Sequence, residues 1–133
     1  MNKDLRAKIE PDFNRATKLW HENRSVEAVE ILRKLNDEFP DQTVILETLG
    51  AIHFSKGDFV SSLTYFQKVV KLSPKSELAS LGLFHSLIKH EQFDAALSEA
   101  RRFINKNGLT EEYKLLMEEL EENSFFGEGK SDQ

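Results

Sequence analysis

The feature that most constrains this chain is a residue pattern that repeats every thirty-four positions. Pro40 and Pro74 lie thirty-four residues apart, and Gly108, another residue type that ends helices, occupies the third equivalent position. A unit this short cannot bury its apolar face alone, so the period predicts three units stacked side by side. The same shift superposes small or apolar residues on one another: Ala28, Ser62 and Ala96; Val29, Leu63 and Leu97; Leu32, Phe66 and Ala100; Leu35, Val69 and Phe103.

Apolar residues recur at helical spacing in two segments of each unit, which predicts six helices. Short breaks separate the segments, and connections this short place consecutive helices antiparallel. Pro11 is expected in the first turn of the first helix, and Asp58 is expected to cap the fourth helix after Gly57 ends the third. The predicted helices span residues 11–22, 26–38, 43–56, 59–72, 77–90 and 93–106.

The middle unit carries a resemblance to a known family. Its residues Leu46-x2-Leu49-Gly50-x2-His53, Ser62-x3-Phe66 and Pro74 resemble the pattern W-x2-L-G-x2-Y…A-x3-F…P of the tetratricopeptide repeat (TPR) family. The sequence departs from this pattern at Leu46, His53 and Ser62, each a residue of tolerable size. The resemblance covers about residues 9–108, and it implies an all-α, right-handed α-solenoid of three helix-turn-helix repeats at about 9–42, 43–76 and 77–108.

A seventh helix is predicted after the third unit, over residues 110–122. Thr110 is a natural N-cap, and the acidic residues that follow it suit the positive end of the helix dipole. The segment has a single apolar stripe, as a helix that caps a solenoid needs. Residues 1–122 are therefore predicted to form one domain, and the polar segment 123–133 is predicted to be a flexible tail. The apolar stripe consists of Tyr113, Leu116, Met117 and Leu120.

The TPR resemblance also implies where a partner would be held. In that family the first helix of each repeat lines a concave groove, which holds peptides or helices of partner proteins. Trp20, Phe54 and Ile88 would form one apolar row across this groove, and an open apolar row marks a binding surface. Carrying the inner-face positions over by thirty-four residues gives Phe13, Thr17, Trp20 and His21 in the first helix, Val44, Glu47, Ala51, Phe54 and Ser55 in the third, and Leu78, Leu81, His85, Ile88 and Lys89 in the fifth.

Two alternatives for this row remain open. Its residues could simply pack helix against helix, or Phe125 and Phe126 of the tail could fold back and fill the groove. One ligand class is disfavoured, since family members that grip a C-terminal carboxylate use a clamp of Lys, Asn and Arg. The matching positions here hold Phe13, Thr17, Leu78 and Gly82. The groove therefore suits an apolar or amphipathic segment of a partner protein.

Composition and motifs argue against catalysis, cofactors and nucleic-acid binding. The 133 residues carry a formal net charge of −5, whereas a nucleic-acid-binding protein presents a basic face. The chain has no cysteine, and it lacks phosphate-loop, nucleophile-elbow and zinc-helix motifs. His21, His53 and His85 recur every thirty-two residues, so they slip around the helices and cannot share one face. We therefore expect no enzyme, no cofactor and no metal, and we expect His53 to be a hydrogen-bonded core residue.

The leading functional hypothesis is a non-catalytic interaction module, such as an adaptor or chaperone, that binds another protein in the groove. The chain lacks an apolar run that would cross a membrane and a signal-like N-terminal segment, so a cytoplasmic monomer or weak homodimer is expected. One alternative is an inhibitor or immunity-type protein that masks a partner's active surface with its acidic C-terminal helix. Another is a self-assembling structural protein.

Overall fold

The structure is a computed structural model that describes the backbone of residues 1–131 and the side chains of residues 1–122. Every regular element in this range is an α-helix, so the predicted all-α class is confirmed. None of these helices combines the length and the apolar character needed to span a bilayer. The seven helices are α1 (Lys3–His21), α2 (Ser25–Glu38), α3 (Thr43–Ser55), α4 (Phe59–Leu72), α5 (Glu77–Lys89), α6 (Phe93–Asn107) and α7 (Glu111–Ser131).

Helix α1 begins eight residues before its predicted start at residue 11, and Pro11 lies inside it. The helix starts earlier because Asn2 caps it, its side chain accepting a hydrogen bond of 2.8 Å from the backbone N–H of Leu5. The added turns also bury an apolar side chain, since Ile9 is only 3% exposed. The expectation that Pro11 stands in the first turn is therefore wrong.

The thirty-four-residue period is present in the backbone of the turns. The first helix of each pair ends at His21, Ser55 or Lys89, and the second begins at Ser25, Phe59 or Phe93, so equivalent bounds are thirty-four residues apart. Each turn holds one residue of positive φ, namely Asn23 (61°), Gly57 (79°) and Glu91 (60°). In each turn the next backbone N–H bonds back to a carbonyl five residues earlier, from Arg24 to Leu19, Asp58 to His53 and Gln92 to Leu87. The three helical hairpins therefore share one turn geometry.

Two clusters of buried side chains hold the helices together, and α3 contributes to both. The N-terminal core joins α1, α2 and α3, and the C-terminal core joins α3 to α7. Neighbouring residues of α3 divide between them, because Ile45 belongs to the N-terminal core and Leu46 to the C-terminal core. Tyr65 of α4 packs against both clusters. The buried members of the N-terminal core are Ile9, Ala16, Ala28, Val29, Leu32, Leu35, Ile45, Leu49 and Ile52.

Helix α7 is capped by Thr110 as predicted, with the N–H of Tyr113 donating to the Thr110 hydroxyl at 3.3 Å. The helix ends at Ser131 rather than at residue 122, so the predicted end of the capping helix is wrong, while the flexibility of the tail stays a prediction. Once a helix is nucleated, each further residue adds a hydrogen bond, which favours this continuation. Residues 132 and 133 lie outside the described residues, and so do the side chains of Phe125 and Phe126, on which the alternative of a self-filled groove depends.

Candidate functional site

An open apolar depression lies between α3 and α5, and we call it the central depression. It has a volume of about 410 Å³ and is lined by Ala51, Phe54, Phe66, Gly82 and His85. Three of these residues, Ala51, Phe54 and His85, are predicted groove positions. Concave apolar sites with few polar groups are the usual binding sites of proteins. The central depression is therefore the candidate functional site.

The floor of the central depression is the ring of Phe66, which reaches from α4 to lie between two glycines. A Cβ atom on Gly82 of α5 would come within 2.5 Å of this ring, and one on Gly50 of α3 within 2.9 Å. Real Cβ atoms do not approach a ring so closely, so the helices can take these positions only because both residues lack a side chain. Phe66 itself is 5% exposed. Gly82 therefore both permits the packing of α5 and leaves the space above the ring open.

The rim of the central depression is formed by Phe54 and His85. The ring of Phe54 is half-buried and meets the ring of Phe59, the first residue of α4, edge to face at 5.3 Å. His85 is exposed and meets Phe84 edge to face at 5.6 Å. Burial lowers the pKa of His85, while Glu119 and Glu112 of α7 act in the opposite direction and raise it. The lowered pKa favours the neutral form of the imidazole, which suits an apolar depression.

A second opening, which we call the N-terminal depression, lies between α1 and α3. It has a volume of about 490 Å³, and its lining includes two predicted groove residues, Phe13 and Val44. Val44 lies on the same stripe of α3 as Ala51 and Phe54, because seven and ten residues correspond to about two and three helical turns. The two depressions therefore open along one face of α3. Its other lining residues are Met1, Arg6, Ile9, Glu10 and Asn14.

The structure does not bring the whole predicted apolar row to an open surface. Phe54 lines the central depression, whereas Trp20 is half-buried against the N-terminal core and Ile88 against the C-terminal core. Leu81 also packs against the C-terminal core. Trp20, Ile88 and Leu81 therefore pack between helices. Leu78, by contrast, is 60% exposed.

The polar groove positions vary in their surroundings. The Thr17 hydroxyl donates to the carbonyl of Asn14 at 3.0 Å, so it is engaged within its own helix. His21 is exposed and stacks on Trp20, with ring centroids 5.9 Å apart. Glu47 is half-buried, and this burial raises the pKa of its carboxyl. Ser55 and Lys89 are exposed at the ends of α3 and α5.

A buried polar network that the sequence did not predict lies beneath α7. The Ser80 hydroxyl donates to Glu99 at 2.6 Å and lies 2.6 Å from the Tyr113 hydroxyl, which must then be the donor in that pair. Arg102 donates to both oxygens of Glu99, at 2.8 and 2.7 Å, and to the carbonyl of Pro74 at 3.0 Å. Burial raises the pKa of Tyr113 to about 12. Glu99 is a buried carboxylate, only 7% exposed.

His53 lies in the core as predicted, at 4% exposed, and its ring stacks on Tyr65 at 5.6 Å. The expected hydrogen bond is only partly formed, since its Nδ1 lies 3.2 Å from an oxygen of Asp58 in a poorly aligned direction. Nε2 has no partner among the described residues. Burial lowers the pKa of His53, partly opposed by Asp58. Within the described residues, no group of three or more histidines and carboxylates is placed to hold a metal ion.

Comparison with known proteins gives one weak similarity. No family model matches the chain. It is 25% identical over 108 residues to the protein FlbA of Caulobacter vibrioides, an alignment that covers 81% of this chain and 18% of FlbA. The chain therefore spans less than a fifth of the length of the curated relative that it matches. This identity is too low to assign the chain to a family.

Proposed function

We propose that this protein is a non-catalytic interaction module that holds an apolar or amphipathic peptide or helix of a partner protein. In this proposal the three hairpins form a right-handed solenoid of TPR type, with α7 as its cap. The equivalent turns support the proposal, since the turn inside each hairpin holds one residue of positive φ, and these positions are thirty-four residues apart. The similarity of the middle repeat to the TPR pattern supports it from the side of sequence.

The observation that carries the proposal is the central depression. Its lining is apolar, its floor is one aromatic ring, and it opens on the face of α3 that also borders the N-terminal depression. A side chain of a partner segment could insert there, since interface energy concentrates in apolar anchors that fill such pockets. Side chains one or two helical turns further along the partner could then reach the N-terminal depression.

The surroundings of Ser80, a hydroxyl beside a carboxylate, support binding over catalysis. Ser80 lies next to a carboxylate, but it is fully buried, and its oxygen already engages Glu99 and Tyr113. A nucleophile must reach its substrate and be activated by a nearby base. The Glu99 carboxylate is held instead by the guanidinium of Arg102. This arrangement suits the attachment of α7 and offers no access for a substrate.

The proposal is tested by filling the central depression. Ala51→Phe places a ring into the opening without removing a core side chain, and a tagged variant should lose a partner that the wild type captures from cells. Ala95→Phe is the matched control, since Ala95 lines a different opening between α4, α5 and α6. Circular dichroism should show that both variants fold. Calorimetry with the identified partner should then give weaker binding for Ala51→Phe alone.

Three outcomes would overturn the proposal. Equal binding of the partner by Ala51→Phe and wild type would remove the central depression from the interface. Loss of binding only on substituting the acidic residues of α7 would favour the inhibitor-type alternative. A concentration-dependent oligomer that Ala51→Phe converts to monomer would favour self-assembly, and light scattering would detect it.

A further inference from the structure

Helix α7 begins where the first helix of a fourth repeat would begin. The helices α3, α5 and α7 begin at Thr43, Glu77 and Glu111, each thirty-four residues after the last. The same shift places Glu112 at the position equivalent to Leu78, and Glu119 at the position equivalent to His85. At these two positions α7 therefore carries carboxylates where α5 carries Leu78 and His85.

Glu112 and Glu119 form what we call the acidic flank. They are seven residues apart, which is about two turns, so they share one side of α7. Tyr113 and Leu116 point to the C-terminal core, while both glutamates are exposed. Tyr113, the neighbour of Glu112, meets the ring of Phe84 at 5.8 Å, and Phe84 meets His85 at the rim of the central depression at 5.6 Å. Both glutamates also raise the pKa of His85. The acidic flank therefore borders the candidate binding site.

A third carboxylate lies on the opposite side of the site. Glu47 of α3 lies one turn before Ala51, and its half-buried position raises its pKa, so water only partly solvates its charge. His85 lies between the two sides, and burial lowers its pKa, which favours the neutral imidazole. Lys89 is the cation close enough to lower the pKa of His85. The surroundings of the central depression are thus mainly anionic, and an anionic cleft attracts cations over distances near the Debye length.

We infer that the segment held in this groove carries lysine or arginine next to its apolar anchor, and that these cations lie over the acidic flank. The inference rests on the proposed function, because it concerns the occupant of the same depression. The anchor fills the central depression, and the cations set the direction in which the segment lies along the groove. A second copy of this chain suits the site less well, since each copy carries a formal net charge of −5.

The test uses labelled model peptides of about sixteen residues, long enough for four turns of an amphipathic helix. All share one pattern of leucine and phenylalanine, and their polar positions hold lysine, glutamine or glutamate. Fluorescence anisotropy at about 50 mM salt should rank the affinities as lysine, glutamine, glutamate. Glu112→Gln with Glu119→Gln should weaken the lysine peptide by about three- to tenfold, as expected for two exposed ion pairs.

The matched control is Glu111→Gln with Glu118→Gln. It makes the same change in net charge on the outer side of α7, because these residues lie about 80–120° around the helix from the acidic flank. This control should bind the lysine peptide as the wild type does. An equal loss in both double variants would overturn the inference, because general attraction to an acidic protein would then explain the preference.

The remaining outcomes separate the inference from the proposed function. If lysine and glutamine peptides bind equally, and Ala51→Phe abolishes the binding of both, the groove binds apolar segments. The inference that the bound segment carries cations is then overturned. If Ala51→Phe leaves the binding of every peptide unchanged, both proposals fail. If labelled copies of the chain associate through the depression in preference to the lysine peptide, the occupant is a second copy and the inference is overturned.

Discussion

At the scale of single residues, the contact of Phe66 with Gly50 and Gly82 determines both the packing of the helices and the shape of the candidate binding site. One buried ring on α4 fixes how closely α3 and α5 approach, and its outer face is the floor of the central depression. A change at these glycines alters the helix spacing and the shape of the depression together. Replacing either glycine by alanine adds one methyl group and tests this contact.

Gly82→Ala is expected to lower the free energy of unfolding by about 1–2 kcal/mol. The added Cβ overlaps the Phe66 ring, and overpacking costs about 1–3 kcal/mol, while the better helix propensity of alanine returns up to about 1 kcal/mol. Urea unfolding measures the change. Gly50→Ala should cost less, since its Cβ lies 2.9 Å from the ring rather than 2.5 Å. A smaller side chain in Phe66→Leu should reduce the cost of Gly82→Ala, and simple additivity would contradict the overlap.

Stability is expected to fall as the pH is lowered from about 7 to 5, because the pKa of His53 is lower in the folded chain than in the unfolded chain. The unfolded chain then binds more protons in this range, so acid favours unfolding. His85 adds to the effect, since burial also lowers its pKa. His53→Phe should flatten the dependence measured by urea unfolding at several pH values. An unchanged slope in this variant, with a flat slope in His85→Gln, would assign the effect to His85 alone.

At the scale of elements, the turns between paired helices share one backbone geometry but differ in the residue at the position of positive φ. The left-handed position is filled by Asn23, Gly57 and Glu91, although only glycine adopts positive φ without steric cost. The conformation at Glu91 is held by the hydrogen bond that the next residue, Gln92, makes with Leu87. The third turn therefore stores strain that the second does not.

Glu91→Gly is expected to raise the free energy of unfolding by about 0.5–1 kcal/mol, since it relieves the cost of positive φ. Gly57→Ala is the reverse substitution at the equivalent position and should lower it by about 1 kcal/mol. No atom lies within 4 Å of a Cβ built on Gly57, so the backbone alone decides the result. Thermal unfolding followed by circular dichroism measures both. A loss of stability in Glu91→Gly would mean that its side chain matters more than its φ.

Helix α7 is attached by Tyr113, and Tyr113→Phe should lower the free energy of unfolding by about 0.5–1.5 kcal/mol, the net value of one hydrogen bond. The ring contacts with Phe84 and Phe103 remain in this variant, so only the bond to Ser80 is lost. Tyr65→Phe removes a hydroxyl from a half-buried ring on α4 and is the matched control. Equal effects of the two variants in urea unfolding would argue against the role of the network.

At the scale of the whole molecule, the two cores share α3, so the helices should unfold together. The single tryptophan, Trp20, packs against the N-terminal core, whereas circular dichroism follows all helices. Because Ile45 and Leu46 anchor α3 in different cores, loosening one core removes support from the other. Urea unfolding followed by tryptophan fluorescence and by circular dichroism should give coincident transitions. An earlier fluorescence transition would show that the N-terminal hairpin unfolds alone.

The sequence predicted most of the fold and part of the site, for physical reasons that differ by residue. Helix bounds follow the period, but α1 was predicted too short because Pro11 looked like a start while Asn2 provides the cap. Gly82 was named only as a position unable to grip a carboxylate, because its contact with Phe66 depends on packing that the repeat does not reveal; it lies thirty-two residues after Gly50 rather than thirty-four. The network around Glu99 leaves no periodic signal, since its partners come from separate helices.

Because the turns are equivalent, the number of helical hairpins in this chain could change by one at a time. A second copy of residues 59–92 could be inserted between Gln92 and Phe93. Both junctions would then join a turn to the start of a helix as in the present chain, because Phe59 and Phe93 begin equivalent helices. The end built on α1 and the end closed by α7 would stay as they are. Duplication within a gene could therefore extend this molecule by one hairpin at a time without changing either terminus.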